Sequence, residues 1–262
     1  MGQTIALVPT MGYFHEGHLS LMRRAKERAD KVVVSLFVNP TQFGPNEDLD
    51  AYPRDAERDQ TLARETGVDL LFTPETKAMY AEDHSTWVTV PDLAANLCGR
   101  SRPIHFRGVA TVVTKLFMLI RPHVAVFGEK DWQQLALIQR MVRDLDMDVR
   151  IEGHPIVREP DGLAMSSRNV NLSPEERFQA VHLQQGLAIA ETMLEQGIRS
   201  ADALREGVLA YYSKHISLGE LDYCELVHPE SITPLEALNG PVLAAVAWRF
   251  SRARLLDNRL LG

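Results

Sequence analysis

The chain has 262 residues, 45% hydrophobic and 24% charged, enough to bury a sizeable core in one large domain or two small ones. Its 28 Lys and Arg against 35 Asp and Glu give a formal charge of −7 with no long basic stripe, which argues against a nucleic-acid partner. No apolar run approaches the roughly 18–20 residues that cross a bilayer, the start lacks the build of a signal peptide, and two cysteines, Cys98 and Cys224, make neither a disulfide framework nor a zinc spacing. These features predict a cytoplasmic α/β protein with free thiols and no membrane partner.

Ile5–Val8 reads as a buried parallel strand that breaks at Pro9, turns through Gly12 and restarts at Gly17-His18 as a helix from Leu19 to Ala29. A helix N-terminus exposes unpaired N–H groups and the positive end of the dipole, so this turn is a natural seat for phosphate. His15 and His18, three apart, can donate to the same anion. Val32–Val38 is a second, β-branched strand ended by Asn39-Pro40, and with the helix before it makes a right-handed βαβ unit. A loop of turn formers, residues 39–48, precedes a polar helix from about Asp55 to Thr66, stopped by Gly67, and a short strand Leu70–Thr73.

Trp87–Val90 looks like a strand and Arg100–Gly108 a basic loop. Val109, Val112, Val113, Leu116, Phe117 and Ile120 then mark an amphipathic helix ended by Arg121-Pro122. Val124–Phe127 is a fourth buried strand. Gly128–Asp131 turns into a helix carrying Leu135, Ile138, Val142 and Leu145, and Val149–Ile151 with Pro155–Val157 closes the sheet. Strand and helix alternate throughout, so residues 1–156 are expected to form a doubly wound, Rossmann-like parallel sheet. Residues 157–262 change character: a long helix Pro174–Glu195 with Ser173 as N-cap, a second near Ala201–Lys214, and strands Asp222–Val227, Val242–Trp248 and Ala253–Leu256 of a largely antiparallel sheet. The expectation there is a smaller α+β C-terminal lid domain.

Ligands of open α/β sheets bind beyond the carboxyl ends of the strands. Three polar clusters fall at that edge: His15/His18, Asn39–Gln42 and Gly128–Asp131. A fourth, Asp161–Asn169, sets the hydroxyls of Ser166 and Ser167 beside the Arg168 guanidinium, a compact phosphate clamp. Each has a plainer alternative. The histidines fit half a metal site or incidental loop residues, though no obvious third ligand stands beside them. Lys130-Asp131 fits a surface ion pair capping its helix, Ser166–Arg168 an ordinary turn, Gln42 a solvated amide. That three clusters converge at one edge, and that all four would have to be coincidental together, favours a nucleotide-phosphate site.

Pro9-Thr10-Met11-Gly12 followed by His15-Glu16-Gly17-His18 resembles the HxGH signature of the nucleotidylyltransferase superfamily, in its pantothenate synthetase form. Phe37–Phe43, Asp50–Arg54, Arg102-Pro103 with His105-Phe106, Phe127–Asp131, Asp161–Asn169, Ala247-Trp248 and Ala253–Asn258 look like further blocks of that family, in its order and spacing, over nearly the whole chain. Departures are few. The family usually carries a helix and strand before the first block, where this chain starts almost at that strand. Asn171 stands where a tyrosine is usual, and Arg249-Phe250-Ser251 replaces a usual Gly-Asp.

The resemblance implies ATP-dependent condensation of pantoate with β-alanine through a pantoyl-adenylate, with release of AMP and pyrophosphate, Mg²⁺ bridging phosphate oxygens, and a homodimer. It also implies roles. His15, His18, Lys130, Ser166, Ser167 and Arg168 would gather the phosphates, with His18 the proton donor and His15, Lys130 and Arg168 catalytic beside it. Met11, Gly12, Gly17, Gly128, Val157 and Met165 would line the ATP site, and Asp131 would reach the ribose. Gln42 and Gln134, with Asn39, would hold pantoate. Tyr52, Arg102 and His105 would lie near β-alanine, and Asp59 would ligate magnesium. The readings set against this are another adenylyl-transferring enzyme of cofactor synthesis, which would release a dinucleotide rather than AMP, and a non-catalytic nucleotide-binding module.

Overall fold

The computed structural model describes residues 2–45 and 47–262. Five strands, β1 (Ile5–Thr10), β2 (Lys31–Leu36), β3 (Leu70–Phe72), β4 (Val124–Gly128) and β5 (Arg150–His154), form one sheet in the order β3-β2-β1-β4-β5, every pair parallel. Along β1 the side chains of Ala6 and Val8 enter one apolar layer and Leu7 the other; along β2, Val32 and Val34 oppose Val33. Apolar residues on both faces at period two are what a sheet covered on both sides requires. Helices α1 (Glu16–Lys26) and α2 (Ala56–Thr66) cover one face through Leu21, Met22, Ala25 and Ala63. Two short helices, α3 (Thr76–Met79) and α4 (Cys98–Ser101), lead to α5 (His105–Ile120) and α6 (Trp132–Asp144), which cover the other. The strand order reverses between β1 and β4, which opens a crevice beyond their C-terminal ends.

The remainder is α7 (Pro174–Ala180), α8 (His182–Glu195), α9 (Ala201–His215) and an antiparallel sheet of β6 (Glu220–Val227), β7 (Val242–Arg249) and β8 (Arg254–Leu261) in sequence order. Strand β7 is buried on both sides: Leu243, Ala245 and Ala247 join the core beneath α5 and α6, while Val242, Ala244, Val246 and Trp248 pack with residues of α8 and α9. Its alanines let the two layers approach closely.

Several boundaries differ from the sequence reading, each for a local reason. The first helix begins at Glu16, not Leu19, because His15 serves as its N-cap, a residue type that propensity does not mark. Helix α5 begins at His105, inside the expected basic loop, because buried Phe106 extends the Val109, Ala110, Val113 stripe by one turn. Trp87–Val90 is not a strand; the Val88 N–H is taken by the Thr111 hydroxyl at 3.0 Å instead of a sheet neighbour. Pro155–Val157 leaves the sheet to line the crevice. The long helix expected over Pro174–Glu195 is two helices separated by Val181, whose φ of −60° and ψ of −29° stay helical, so no breaker residue announces the interruption.

Candidate active site

A cavity of about 1000 Å³ fills the crevice, a size suited to a nucleotide and small acids together. Its walls are the ends of β1 and β4, the start of α1, the loop after β2, the first turn of α5 and residues 165–168.

The turn from β1 into α1 is fixed from behind. Asp59, 1% exposed on α2, accepts the Tyr13 and Phe14 N–H groups on separate oxygens, both at 2.7 Å. Gly12 lies between with φ +86°, and a Cβ there would sit 2.9 Å from Asp59 Oδ2, so glycine is required for conformation and space alike. Asp59 and Gly12 therefore stand outside the cavity lining, as the support of the turn. With one backbone N–H on each carboxylate oxygen, Asp59 anchors the turn from outside the cavity, whereas the sequence reading assigned it to magnesium.

That turn presents His15 and His18, whose rings lie 4.2 Å apart between centroids. His15 Nδ1 accepts the Gly17 N–H at 3.1 Å, and His18 Nδ1 accepts the His15 N–H at 3.3 Å. An accepting Nδ1 places the ring proton on Nε2, so both imidazoles offer an Nε2–H donor from the cavity wall. Burial, then the Lys130 and Arg58 charges, lowers the His15 pKa to about 4. Burial, then His15 and Lys130, takes His18 well below its ordinary value. Both are thus neutral donors at pH 7. The amides of the first helical turn are largely consumed by this cap, since the His18 and Leu19 N–H groups return to His15 O at 2.8 and 3.1 Å. The expected bare helix N-terminus is replaced by a pair of imidazoles.

The wall after β2 is a 3₁₀ turn, Pro40–Gln42, capped by Asn39. Asn39, 1% exposed, gives its amide to Gln42 Oε1 at 3.2 Å and to Gly108 O at 3.1 Å. Gly108 of α5 permits this contact: a Cβ there would meet Thr41 O at 2.5 Å and Gln42 N at 2.6 Å. Gln42 Nε2 reaches Met11 Sδ at 2.9 Å. His105 donates from Nδ1 to Gln42 O at 3.0 Å, which leaves Nε2 as an acceptor; burial, then Arg102, lowers its pKa to about 3. Gln134 also lines the cavity, whereas its neighbour Gln133 is buried and ties Cys98 N, Leu93 O and Asn96 O together.

The opposite side carries the charge. Lys130 and Asp131 follow β4, 3.9 Å apart, and Asp131 makes no capping bond to α6, so the plain capping alternative does not describe it. Ser166 Oγ caps the 3₁₀ turn Ser167–Asn171 and accepts the Arg168 N–H at 3.2 Å. Ser167 Oγ lies 3.3 Å from Tyr52 OH, and the Arg168 guanidinium stands over the Tyr52 ring at 5.4 Å. Tyr52, expected with Arg102 and His105, is thereby part of the Ser167-Arg168 side. Arg168 forms a two-point pair with Asp48, and Arg102 pairs with Glu47 while reaching Gln42 O at 3.3 Å. Met11, Gly17, Gly128, Val157 and Met165 also line the cavity, as does the turn between β7 and β8 from Arg249 to Arg254.

Sequence reasoning missed Glu47 and Asp48, which read as turn polarity, and Asp257 and Asn258, which stand in β8 and reach the site only through folding. Their partners lie 55, 120, 99 and 128 residues away. No spacing rule spans such distances. Among the described residues, no three His, Cys, Asp or Glu side chains gather as a metal cage, and no helix is long and apolar enough to cross a membrane.

Comparison with known proteins adds the following. A family model described as pantoate-beta-alanine ligase matches residues 1–260. Curated proteins named pantothenate synthetase are similar over 260 residues: 59% identity in Maridesulfovibrio salexigens and 60% in Desulfovibrio desulfuricans, covering 99% of this chain and 92% of each relative. The crystal structure of pantothenate synthetase from Thermus thermophilus aligns with a TM-score of 0.94 at 48% identity, over 98% of this chain and 92% of that one. A pantoate-beta-alanine ligase from Francisella tularensis, complexed with beta-gamma ATP and beta-alanine, aligns with a TM-score of 0.80 at 34% identity, over 98% of this chain and 90% of that one.

Proposed function

The chain belongs to the pantoate–β-alanine ligase family, whose members join pantoate to β-alanine with consumption of ATP, and on that premise we propose how its residues divide the work. The observation that carries the assignment is the cavity's two-sided chemistry: paired neutral imidazoles, Lys130 and the Ser166–Arg168 turn around one space, with the amides of Gln42 and Gln134 in the same lining.

In the first step a pantoate carboxylate oxygen attacks the α-phosphorus of ATP. One P–O bond forms in line as the bond to the β-phosphate oxygen breaks, and pyrophosphate leaves. Charge on the phosphate oxygens changes little in total but moves, so catalysis is mainly positioning and electrostatic stabilisation. His15 and His18 donate Nε2–H to those oxygens without a net charge of their own. Lys130 and Arg168 supply the positive charge, and Ser166 and Ser167 the hydroxyls. Gln42 and Gln134 hold pantoate by amide hydrogen bonds, which orient the carboxylate without neutralising it as a nucleophile. Asn39 keeps Gln42 in place. In the second step the neutral amine of β-alanine attacks the acyl carbon, AMP departs with the electron pair of the broken C–O bond, and the amine proton is lost to solvent. Arg102 and His105 stand on that side, and Asp131 takes the ribose.

Mg²⁺ would accompany the triphosphate beside Lys130 and the Ser166–Arg168 turn, where it would supply charge neutralisation. A homodimer and a cytoplasmic setting accompany the reading; Cys98 and Cys224, both free and buried, suit a reducing compartment.

The test is AMP release from ATP and Mg²⁺ with pantoate, with and without β-alanine. Steady AMP formation that needs both acids, and is lost in His18→Ala, is expected. A dinucleotide product, or bound ATP without turnover when both acids are present, would overturn it in favour of another adenylyl transfer or of simple nucleotide binding.

A further inference from the structure

The turn that carries Lys130 has little to hold it locally. Gly128, at its N-cap, and Asp131, at the N-cap of α6, both lack a capping side-chain hydrogen bond. Its geometry is imposed from β8. The Asn258 side-chain amide, in a residue 6% exposed, donates to Glu129 O at 2.9 Å and to Lys130 O at 2.8 Å, so two successive carbonyls of the turn share one NH₂ group. The neighbouring residue does the same for the Ser166–Arg168 turn. Asp257, 2% exposed, binds Arg158 at two points, 2.7 and 2.9 Å, and Arg158 also donates to Gly162 O at 3.1 Å, just before the Ser166–Arg168 turn. Asp257 Oδ1 in addition accepts the Asn258 backbone N–H at 2.8 Å. One dipeptide of β8 thus ties both charged turns of the cavity to the C-terminal sheet.

We propose that Asn258 is the positioning residue for Lys130, setting the backbone of its turn so that the ammonium group meets the phosphates in the transition state. It touches no substrate and acts wholly through the Glu129 and Lys130 carbonyls. The proposal rests on the assignment of Lys130 to phosphate made above. A donor pair aimed at two carbonyls fixes direction as well as distance, and misplacing a charged group by about 1 Å costs on the order of a hundredfold in rate. Because the interaction that is lost belongs to the transition state, kcat falls and KM for pantoate is spared.

The experiment is a double-mutant cycle on AMP release, followed under single turnover with enzyme in excess, on Lys130→Ala, Asn258→Ala and the double variant. Asn258→Ser, which keeps one donor, is carried in parallel in case the alanine variant does not fold, and thermal melts accompany each. Asn258→Ala is expected to lower the rate about ten- to a hundredfold with unchanged KM for pantoate. Asn258→Ser should fall between, and Asn258→Ala should add less than about twofold in the Lys130→Ala background. A wild-type rate in the folded Asn258 variants, or losses that multiply in the double variant, overturns the positioning role. A wild-type rate in Lys130→Ala overturns the phosphate assignment itself, a failure distinct from that of Asn258.

Discussion

Arg168 and Asp48 meet as a two-point ion pair in the cavity wall, Nε to Oδ2 at 2.7 Å and Nη2 to Oδ1 at 3.1 Å. Burial raises the Asp48 carboxyl most, but the hydrogen bond and charge of Arg168, with a backbone hydrogen bond and the Arg102 charge, together hold it below its ordinary value. A carboxylate is the closest protein mimic of a phosphate for a guanidinium fork. On the proposed division of roles, Asp48 competes with the nucleotide for Arg168, and Glu47 with the β-alanine carboxylate for Arg102.

Asp48→Asn keeps the shape and removes the charge. KM for ATP is expected to fall severalfold, with kcat less affected, while the folded state loses roughly 1–3 kcal/mol from the charge-assisted bonds. Initial rates at varied ATP and a urea melt measure both. A rise in KM for ATP would mean that Asp48 assists the nucleotide instead of competing with it.

How much of this was legible in the sequence follows from range. The parallel sheet was readable because Ile5–Val8, Val32–Val38 and Val124–Phe127 are apolar on both faces, a pattern that needs no knowledge of partners. The site's principal donors were readable because the switch point gathers residues that immediately follow strands, among them His15, His18, Gln42 and Lys130. What escaped depends on long-range pairing. Asp59 looked like a carboxylate available to a metal, and only the fold shows both its oxygens on the Tyr13 and Phe14 amides. Tyr52 was expected beside Arg102 and His105 near β-alanine, and its contact with Ser167, which sets it on the other side, joins residues 115 apart.

Gln42→Ala and Gln134→Ala should each raise KM for pantoate about ten- to a hundredfold and leave KM for ATP near its original value. A hydrogen bond to a charged group such as the pantoate carboxylate is worth roughly 1.5–3 kcal/mol, which corresponds to about that loss. Asn39→Ala should show the same pattern more weakly, since it acts on pantoate only by holding Gln42 Oε1. Unaltered pantoate dependence in the Gln42→Ala/Gln134→Ala double variant removes both glutamines from the pantoate site.

Asp59→Ala orphans two backbone N–H groups, each worth about 1–3 kcal/mol when left buried without a partner. The expected result is a destabilised protein with the His15/His18 turn displaced and little activity. Asp59→Asn keeps one acceptor and should be intermediate in both respects. The Mg²⁺ concentration for half-maximal activity separates anchor from ligand: it stays unchanged in Asp59→Asn if Asp59 is an anchor, and a rise of tenfold or more would restore the magnesium role.

The three site histidines make a signed prediction for stability against pH. In the native state His15 is lowered to about 4 and His105 to about 3, each by burial first, and His18 lies well below its ordinary value for the same reason. In the unfolded chain each regains a value near 6.5. Between those limits the unfolded state binds protons that the native state refuses, so stability is greatest above about pH 6.5 and falls as the pH drops toward 4. Each such histidine contributes a slope of about 1.4 kcal/mol per pH unit within its window. Asp48, a carboxyl held below its ordinary value, loses its stabilising contribution only at lower pH, outside the interval from 6 to 4.5. His105→Gln removes one titrating group. Urea unfolding between pH 6 and 4.5 should therefore give a slope shallower by about 1.4 kcal/mol per pH unit than the parent protein. The expected loss of absolute stability from the missing Nδ1–H bond to Gln42 O is uniform across that range and cannot mimic a change of slope. Equal slopes in the two proteins would show that His105 accepts its proton in the folded state as readily as in the unfolded one, and would put its ring in contact with water.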